Sequence, residues 1–139
     1  MHTGLPETWL DADKMDQILG NLVENAVRHG AGIVTIVVEP ARMDGEAAGD
    51  LSAPDAAAVS VRDQGDGISP EAAPRVFRRF WRGKPRGGGR RGQHGGGTGL
   101  GLYIVKGLVE AHGGTIGVHY APGGGAEFRF TVPAGAATA

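Results

Sequence analysis

The chain has 139 residues, enough for one domain with a real core, and 40% of them are apolar, more than a disordered segment carries. Fourteen Lys and Arg against fifteen Asp and Glu leave a formal charge of −1, which provides no global attraction to nucleic acid or to an anionic membrane. There is no cysteine, so disulfides and thiolate-bound metals are excluded, and no apolar run approaches the length of a membrane span.

Asp11 or Asp13 reads as a helix cap, and Met15, Ile18, Leu19, Leu22, Val23, Ala26 and Val27 follow as one apolar stripe at helical spacing. The pattern predicts a helix over 13–29, stopped near Gly30-Ala31-Gly32. The β-branched run from Ile33 to Glu39 predicts a strand, and residues 40–54 a loose polar connection. A second strand is expected over 56–62, running into the turn Asp63-Gln64-Gly65-Asp66-Gly67. Ser69-Pro70-Glu71 has the character of a cap and first turn of a short helix. Behind it Val76, Phe77, Phe80 and Trp81 form a cluster better suited to the core than to a stacking platform.

Residues 82–97 hold eight glycines, five Arg or Lys and no acid, the composition of a mobile loop. A helix over 98–112 follows, ended by Gly113-Gly114. Residues 115–120 and 126–132 then predict a hairpin around Ala121-Pro122-Gly123-Gly124-Gly125, with a frayed tail over 134–139. Three helical segments and at least four strands imply a two-layer α/β sandwich.

Three segments carry chemistry. From Gly95 to Gly101 a glycine-dense loop enters a helix, where uncovered backbone N–H groups and the helix dipole suit a phosphate. On the first helix Asn21, Glu24, Asn25 and Arg28 share an arc of roughly 100° opposite the apolar stripe. That face offers amide oxygens for a hard cation, a carboxylate for proton handling and a guanidinium for phosphate. At Asp63 a strand ends in a carboxylate that can accept a hydrogen bond from an exocyclic amine, with glycines that let a ligand approach the backbone. Taken singly, a solvated helix face and a plain Asp-Gly turn are the ordinary alternatives. The five histidines have no metal-site spacing; His29 and His112 fall at helix ends and His119 on a strand surface.

In this order the segments resemble the ATP-binding catalytic domain of bacterial sensor histidine kinases, part of an ATPase superfamily shared with DNA gyrase and MutL. Asn21-Leu22-Val23-Glu24-Asn25-Ala26 is similar to that family's N box, Asp63-Gln64-Gly65-Asp66-Gly67 to its G1 box, and Val76-Phe77-Arg78-Arg79-Phe80-Trp81-Arg82-Gly83 to its F box. Gly97-Thr98-Gly99-Leu100-Gly101-Leu102 is similar to the G2 box. The resemblance spans 11–133. It implies an α+β sandwich of the Bergerat type: a mixed, mostly antiparallel sheet covered on one face by about three helices, with an ATP lid over 82–97. The family's first strand is missing here or reduced to Glu7–Leu10, within an N-terminal extension over 1–10.

The resemblance further implies ATP and Mg²⁺ as ligands. Asn25 would hold Mg²⁺ through its side-chain oxygen, with Asn21 beside it. Glu24 would be the base acting on an incoming imidazole, Arg28 would face the phosphates, and His29 would lie near the nucleotide. Asp63 would select adenine, with Gly65, Gly67 and Ile68 shaping the pocket. Gly97, Thr98, Gly99, Leu100 and Gly101 would line the triphosphate. The implied partners are a phosphoacceptor-His dimerisation domain and a response regulator receiver domain, with no nucleic acid and no membrane insertion of this domain. The implied location is the cytoplasm, free or as the cytoplasmic part of an anchored sensor. None of the five histidines sits in the family's His-Glu/Asp-x-x-x-Pro setting, so the expectation is an excised domain or a split kinase whose acceptor is elsewhere. The alternative on the same fold is an anti-sigma factor serine kinase, which the Phe77/Phe80 box and the long lid disfavour.

Overall fold

The computed structural model describes residues 11–42, 55–79 and 100–133. Helix α1 spans Ala12–His29. Of the two candidate caps it is Asp11 that closes its start, the carboxylate accepting from the Asp13 and Lys14 amides at 3.0 and 3.2 Å. Such a cap contributes about 1 kcal/mol. Strands β1 (Thr35–Ala41) and β2 (Ala56–Arg62) follow, then helix α2 (Gly101–Ala111), β3 (Ile116–Tyr120) and β4 (Ala126–Pro133).

The four strands form one sheet in the order β1-β2-β4-β3, and every pairing among the described residues is antiparallel. Register follows the apolar alternation: Val59 stands opposite Val38 on one side and Phe130 on the other, and Phe130 opposite Ile116. The helix-side face presents Ala57, Val59, Val61, Phe128, Phe130, Val132 and Val118. Ile18, Leu22 and Ala26 of α1 and Val105 and Val109 of α2 close over it. Phe130 is fully buried at its centre, and truncating such a side chain to alanine costs about 3–5 kcal/mol. Phe77 packs edge-on against Phe128, centroids 6.0 Å apart, as a core residue should. The opposite face carries a small cluster of Ala41, Ala56 and Ala58 beside the ion pairs Arg62–Glu127 (2.6 Å) and Arg129–Glu39 (3.9 Å).

Several boundaries differ from the sequence reading. The first strand begins at Thr35, leaving Ile33 68% exposed. Val27 is equally exposed, because it lies well round the helix from the buried row Ile18-Leu22-Ala26. The helix expected from Ser69 is a turn leading into a 3₁₀ segment of three residues, Ala73–Arg75. Ser69 Oγ does accept from the Ala72 amide, but Pro74 has no N–H to give to the carbonyl of Pro70, so α-helical bonding cannot continue. Among the described residues the helical layer is thus two α-helices and this turn. Glu7–Leu10, the lid over 82–97, Phe80, Trp81 and the tail lie outside the described residues.

This architecture brings the C-terminal end of β2 to the C-terminal end of α1, while α1 and α2 pack side by side. The three motif-bearing segments are thereby neighbours.

Candidate nucleotide-binding site

Helix α1 holds its polar row rigidly because the stripe Ile18-Leu22-Ala26 is anchored in the core. Asn21 is half-buried and its Nδ2 donates to the carbonyl of Gly101, the first residue of α2, at 3.4 Å. Donation by the amide nitrogen leaves the Asn21 oxygen as a hard acceptor. Asn25, one turn on, is also half-buried. Glu24 and Arg28 lie further toward solvent and pair with each other at 2.7 Å. His29 is exposed in the last turn.

Asp63 is the most enclosed charged group of the set, 7% exposed. Its amide donates to the Ala126 carbonyl at 3.0 Å, extending the β2–β4 ladder by one bond past Arg62. Its Oδ1 accepts from the amides of Gly65 at 2.8 Å and Ala126 at 3.3 Å. One oxygen is therefore committed to the backbone, and the carboxylate cannot rotate freely. The Oδ2 side faces the end of α1, where a Cβ built on Gly30 would stand 2.4 Å from Asp63 Cγ and 2.6 Å from Oδ2. Only glycine fits there.

The same junction is tied by Gln64. Its amide donates to the Ala31 carbonyl at 2.8 Å, and its Oε1 accepts from the Ile33 amide at 2.9 Å. Gln64 and Gly30 are site-building residues that the sequence reading passed over, the first as a turn residue and the second as a helix stop. Gly65 and Ile68 are half-buried in the same loop, with Ile68 packed on the core. Gly67 takes φ +83°, a conformation that favours glycine.

At the third corner α2 starts at Gly101 with Leu100 as its N-cap, an apolar residue whose own side chain makes no capping hydrogen bond. The N–H groups of that turn have no intrahelical acceptor, the arrangement in which a helix start receives an anion. Gly97, Thr98 and Gly99 lie outside the described residues. His112 is the C-cap of α2, its Nδ1 2.9 Å from the Leu108 carbonyl, and His119 is exposed on β3.

The polar row of α1 thus meets the start of α2 at Asn21, and the C-terminal end of the same helix meets the strand-end carboxylate at Gly30. The model of the "Histidine kinase-, DNA gyrase B-, and HSP90-like ATPase" family matches residues 10–136. The chain belongs to this family. Within this ATPase family it is 39% identical over 134 residues to the sensor protein IrlS of Burkholderia pseudomallei, covering 96% of this chain and 26% of that protein. It is 38% identical over 125 residues to the sensor histidine kinase component HK1 of Mycobacterium tuberculosis, covering 89% and 63% respectively. Among solved structures it resembles full-length ShkA in complex with AMPPNP, with a TM-score of 0.69 at 32% identity over 94% of this chain and 24% of that one. The mycobacterial sensor histidine kinase MprB aligns with a TM-score of 0.64 at 28% identity, covering 90% and 73%. The chain spans about a quarter of the first curated relative and under two thirds of the second.

The ATPase family implies a nucleotide and its divalent cation, and the donors present suit both. Mg²⁺ takes hard oxygens and is usually shared between few protein ligands and substrate phosphates. The half-buried amide side chains of Asn21, beside the α2 start, and of Asn25, one turn further along α1, carry such oxygens. No helix among the described residues is long and apolar enough to cross a membrane.

Proposed function

We propose that this chain is the catalytic domain of a two-component sensor histidine kinase, binding Mg-ATP and passing the γ-phosphoryl group to a histidine on a separate dimerisation domain or chain. The phosphohistidine would then supply a response regulator receiver domain. The observation that carries the reading is the Asp63 carboxylate, with one oxygen pinned by two backbone amides and the other side facing the helix that bears Asn21 and Asn25. A carboxylate so held accepts hydrogen bonds only. Adenine offers an amine to it and guanine a carbonyl oxygen.

Asn25, with Asn21, would hold the cation, whose charge would offset that of the phosphates. Arg28 and the α2 start orient the phosphate chain, together with Gly97, Thr98, Gly99, Leu100 and Gly101. Glu24 takes the proton from the imidazole nitrogen as that nitrogen bonds to the γ-phosphorus and the bond to the β–γ bridging oxygen breaks, releasing ADP. Such chemistry needs positioning and charge stabilisation rather than a nucleophile on this chain. The two curated relatives above are named as a sensor protein and a sensor histidine kinase component, which does not favour the serine-kinase alternative.

Incubating the chain with γ-labelled ATP, alone and with a separately supplied acceptor-His domain, tests the reading. Acid-labile label on the acceptor is expected, with little on the chain itself. Acid-stable label on a serine, or no Mg²⁺-dependent transfer to any acceptor domain, would overturn it.

A further inference from the structure

We propose that Tyr120 is a positioning residue for base recognition: its ring props Gly67, and the β3–β4 turn that it begins holds Asp63 from the side away from the ligand. The inference rests on the reading above that Asp63 receives the base.

Tyr120 is the last residue of β3 and pairs with Ala126. Alternation places it on the helix-side face with Val118, yet Val118 is buried and Tyr120 is 54% exposed. Its ring therefore fills no part of the central core. It lies against the Asp63–Gly67 loop instead: a Cβ on Gly67 would stand 2.6 and 2.7 Å from Tyr120 Cδ1 and Cε1. The same Cβ would stand 3.0 Å from the carbonyl oxygen of Gly125. Gly125, at φ +94°, approaches the chain closely enough that its own Cβ would fall 2.0 Å from the Asp63 carbonyl oxygen. The turn is closed by the Ala121 amide donating to the Gly125 carbonyl at 2.8 Å. It delivers Ala126, whose amide and carbonyl bond Asp63 at 3.3 and 3.0 Å.

The loop is thus gripped from two sides. The α1 side, through Gly30 and Gln64, is where Oδ2 faces. The turn side takes up Oδ1 and the backbone, and can bear load without entering the pocket. Gly67 has no side chain of its own to pack, so its position depends on what leans on it. A glycine at positive φ regains much freedom once unsupported. Without the ring, the loop, the Gly65 and Ala126 bonds to Oδ1, and the angle of the carboxylate all loosen together. A carboxylate free to rotate distinguishes an amine from a carbonyl less well. The ring matters here and the hydroxyl does not, because the contacting atoms are Cδ1 and Cε1.

The test compares ATP and GTP affinities of Tyr120→Ala and Tyr120→Phe by calorimetry, with amide exchange at Gly65. Tyr120→Ala should lower the ATP-to-GTP affinity ratio about tenfold, the low end of what loss of an outer support costs a metal ligand. Its Gly65 amide should exchange faster without nucleotide. Tyr120→Phe should keep both at wild-type values. A merely destabilised protein would weaken ATP and GTP alike and leave the ratio unchanged. Should the alanine variant fail to fold, Tyr120→Thr, which removes the ring but puts a β-branched residue of high strand propensity in its place, replaces it. A folded variant lacking the ring, with unchanged ratio and unchanged Gly65 protection, overturns the proposal while leaving Asp63 its role. A wild-type protein without preference for ATP removes the role of Asp63, and this proposal with it.

Discussion

Replacing Gly30 by alanine puts a methyl group where the protein has placed a carboxylate. At φ −96° the backbone accepts alanine without strain, so the effect is steric. The new Cβ would stand 2.4 Å from Asp63 Cγ and 2.6 Å from both Asp63 Oδ2 and the Ala26 carbonyl oxygen, against about 3.5–4 Å for carbon atoms in contact. The carboxylate must retreat by about 1 Å, and its bonds from Gly65 (2.8 Å) and Ala126 (3.3 Å) cannot both follow. Overpacking of this kind costs about 1–3 kcal/mol, which in a domain of this size lowers Tm by roughly 3–10 °C. Loss of a hydrogen bond to a charged group costs about 1.5–3 kcal/mol, so ATP affinity should fall about ten- to a hundredfold. Thermal unfolding followed by circular dichroism and an ATP titration read the two effects. In an Asp63→Gly background much of the clash is gone, and the penalty should shrink by about 1 kcal/mol or more. A Gly30→Ala protein that melts at or above the wild-type temperature and binds ATP equally well would show that the carboxylate does not stand against α1.

Three further outcomes are expected. Asp63→Ala should weaken ATP and scarcely change GTP, collapsing a selectivity that a buried polar mismatch can raise to roughly 10⁴; competitive titration of the two nucleotides measures it. Asn25→Ala and Glu24→Ala should separate: the first loses Mg²⁺-dependent nucleotide affinity, while the second binds Mg-ATP but transfers to an acceptor domain about 10²–10⁴ more slowly. Gly20→Ala and Gly107→Ala should each raise stability by about 0.5–1 kcal/mol in denaturant unfolding, because both lie inside helices with nothing among the described residues within 4 Å of the added Cβ.

The elements legible in the sequence are those whose signal is local. The stripe of α1, its Asp11 cap and the alternation of β4 (Ala126, Phe128, Phe130 and Val132 buried) need only helical or strand period. Where reading and structure part, a distant partner decides. Ile33 is as β-branched as its neighbours, but its amide is taken by Gln64 Oε1, 31 positions away, so pairing with β2 begins only at Thr35. Ile36 and Val38 have the right parity to face the helices, yet β1 is the outermost strand among the described residues and they stay half-exposed. Asp63 was legible as a strand-end carboxylate. That its Oδ1 is spent on Ala126 was not, since that bond exists only once β2 and β4 are in register. Gly30 and Tyr120 carry no motif of their own, and their roles come from tertiary approach alone.

The central claim is that three separated segments form one nucleotide site. Amide chemical shifts of isotope-labelled protein, followed during titration with a non-hydrolysable Mg-ATP analogue, test it most directly. Changes should concentrate in residues 21–33, 63–68 and 100–103 and saturate together with one affinity. Changes confined to the apolar groove of Phe77, Ile104 and Gly107, or to the sheet face of Arg62, Glu127 and Arg129, would contradict it.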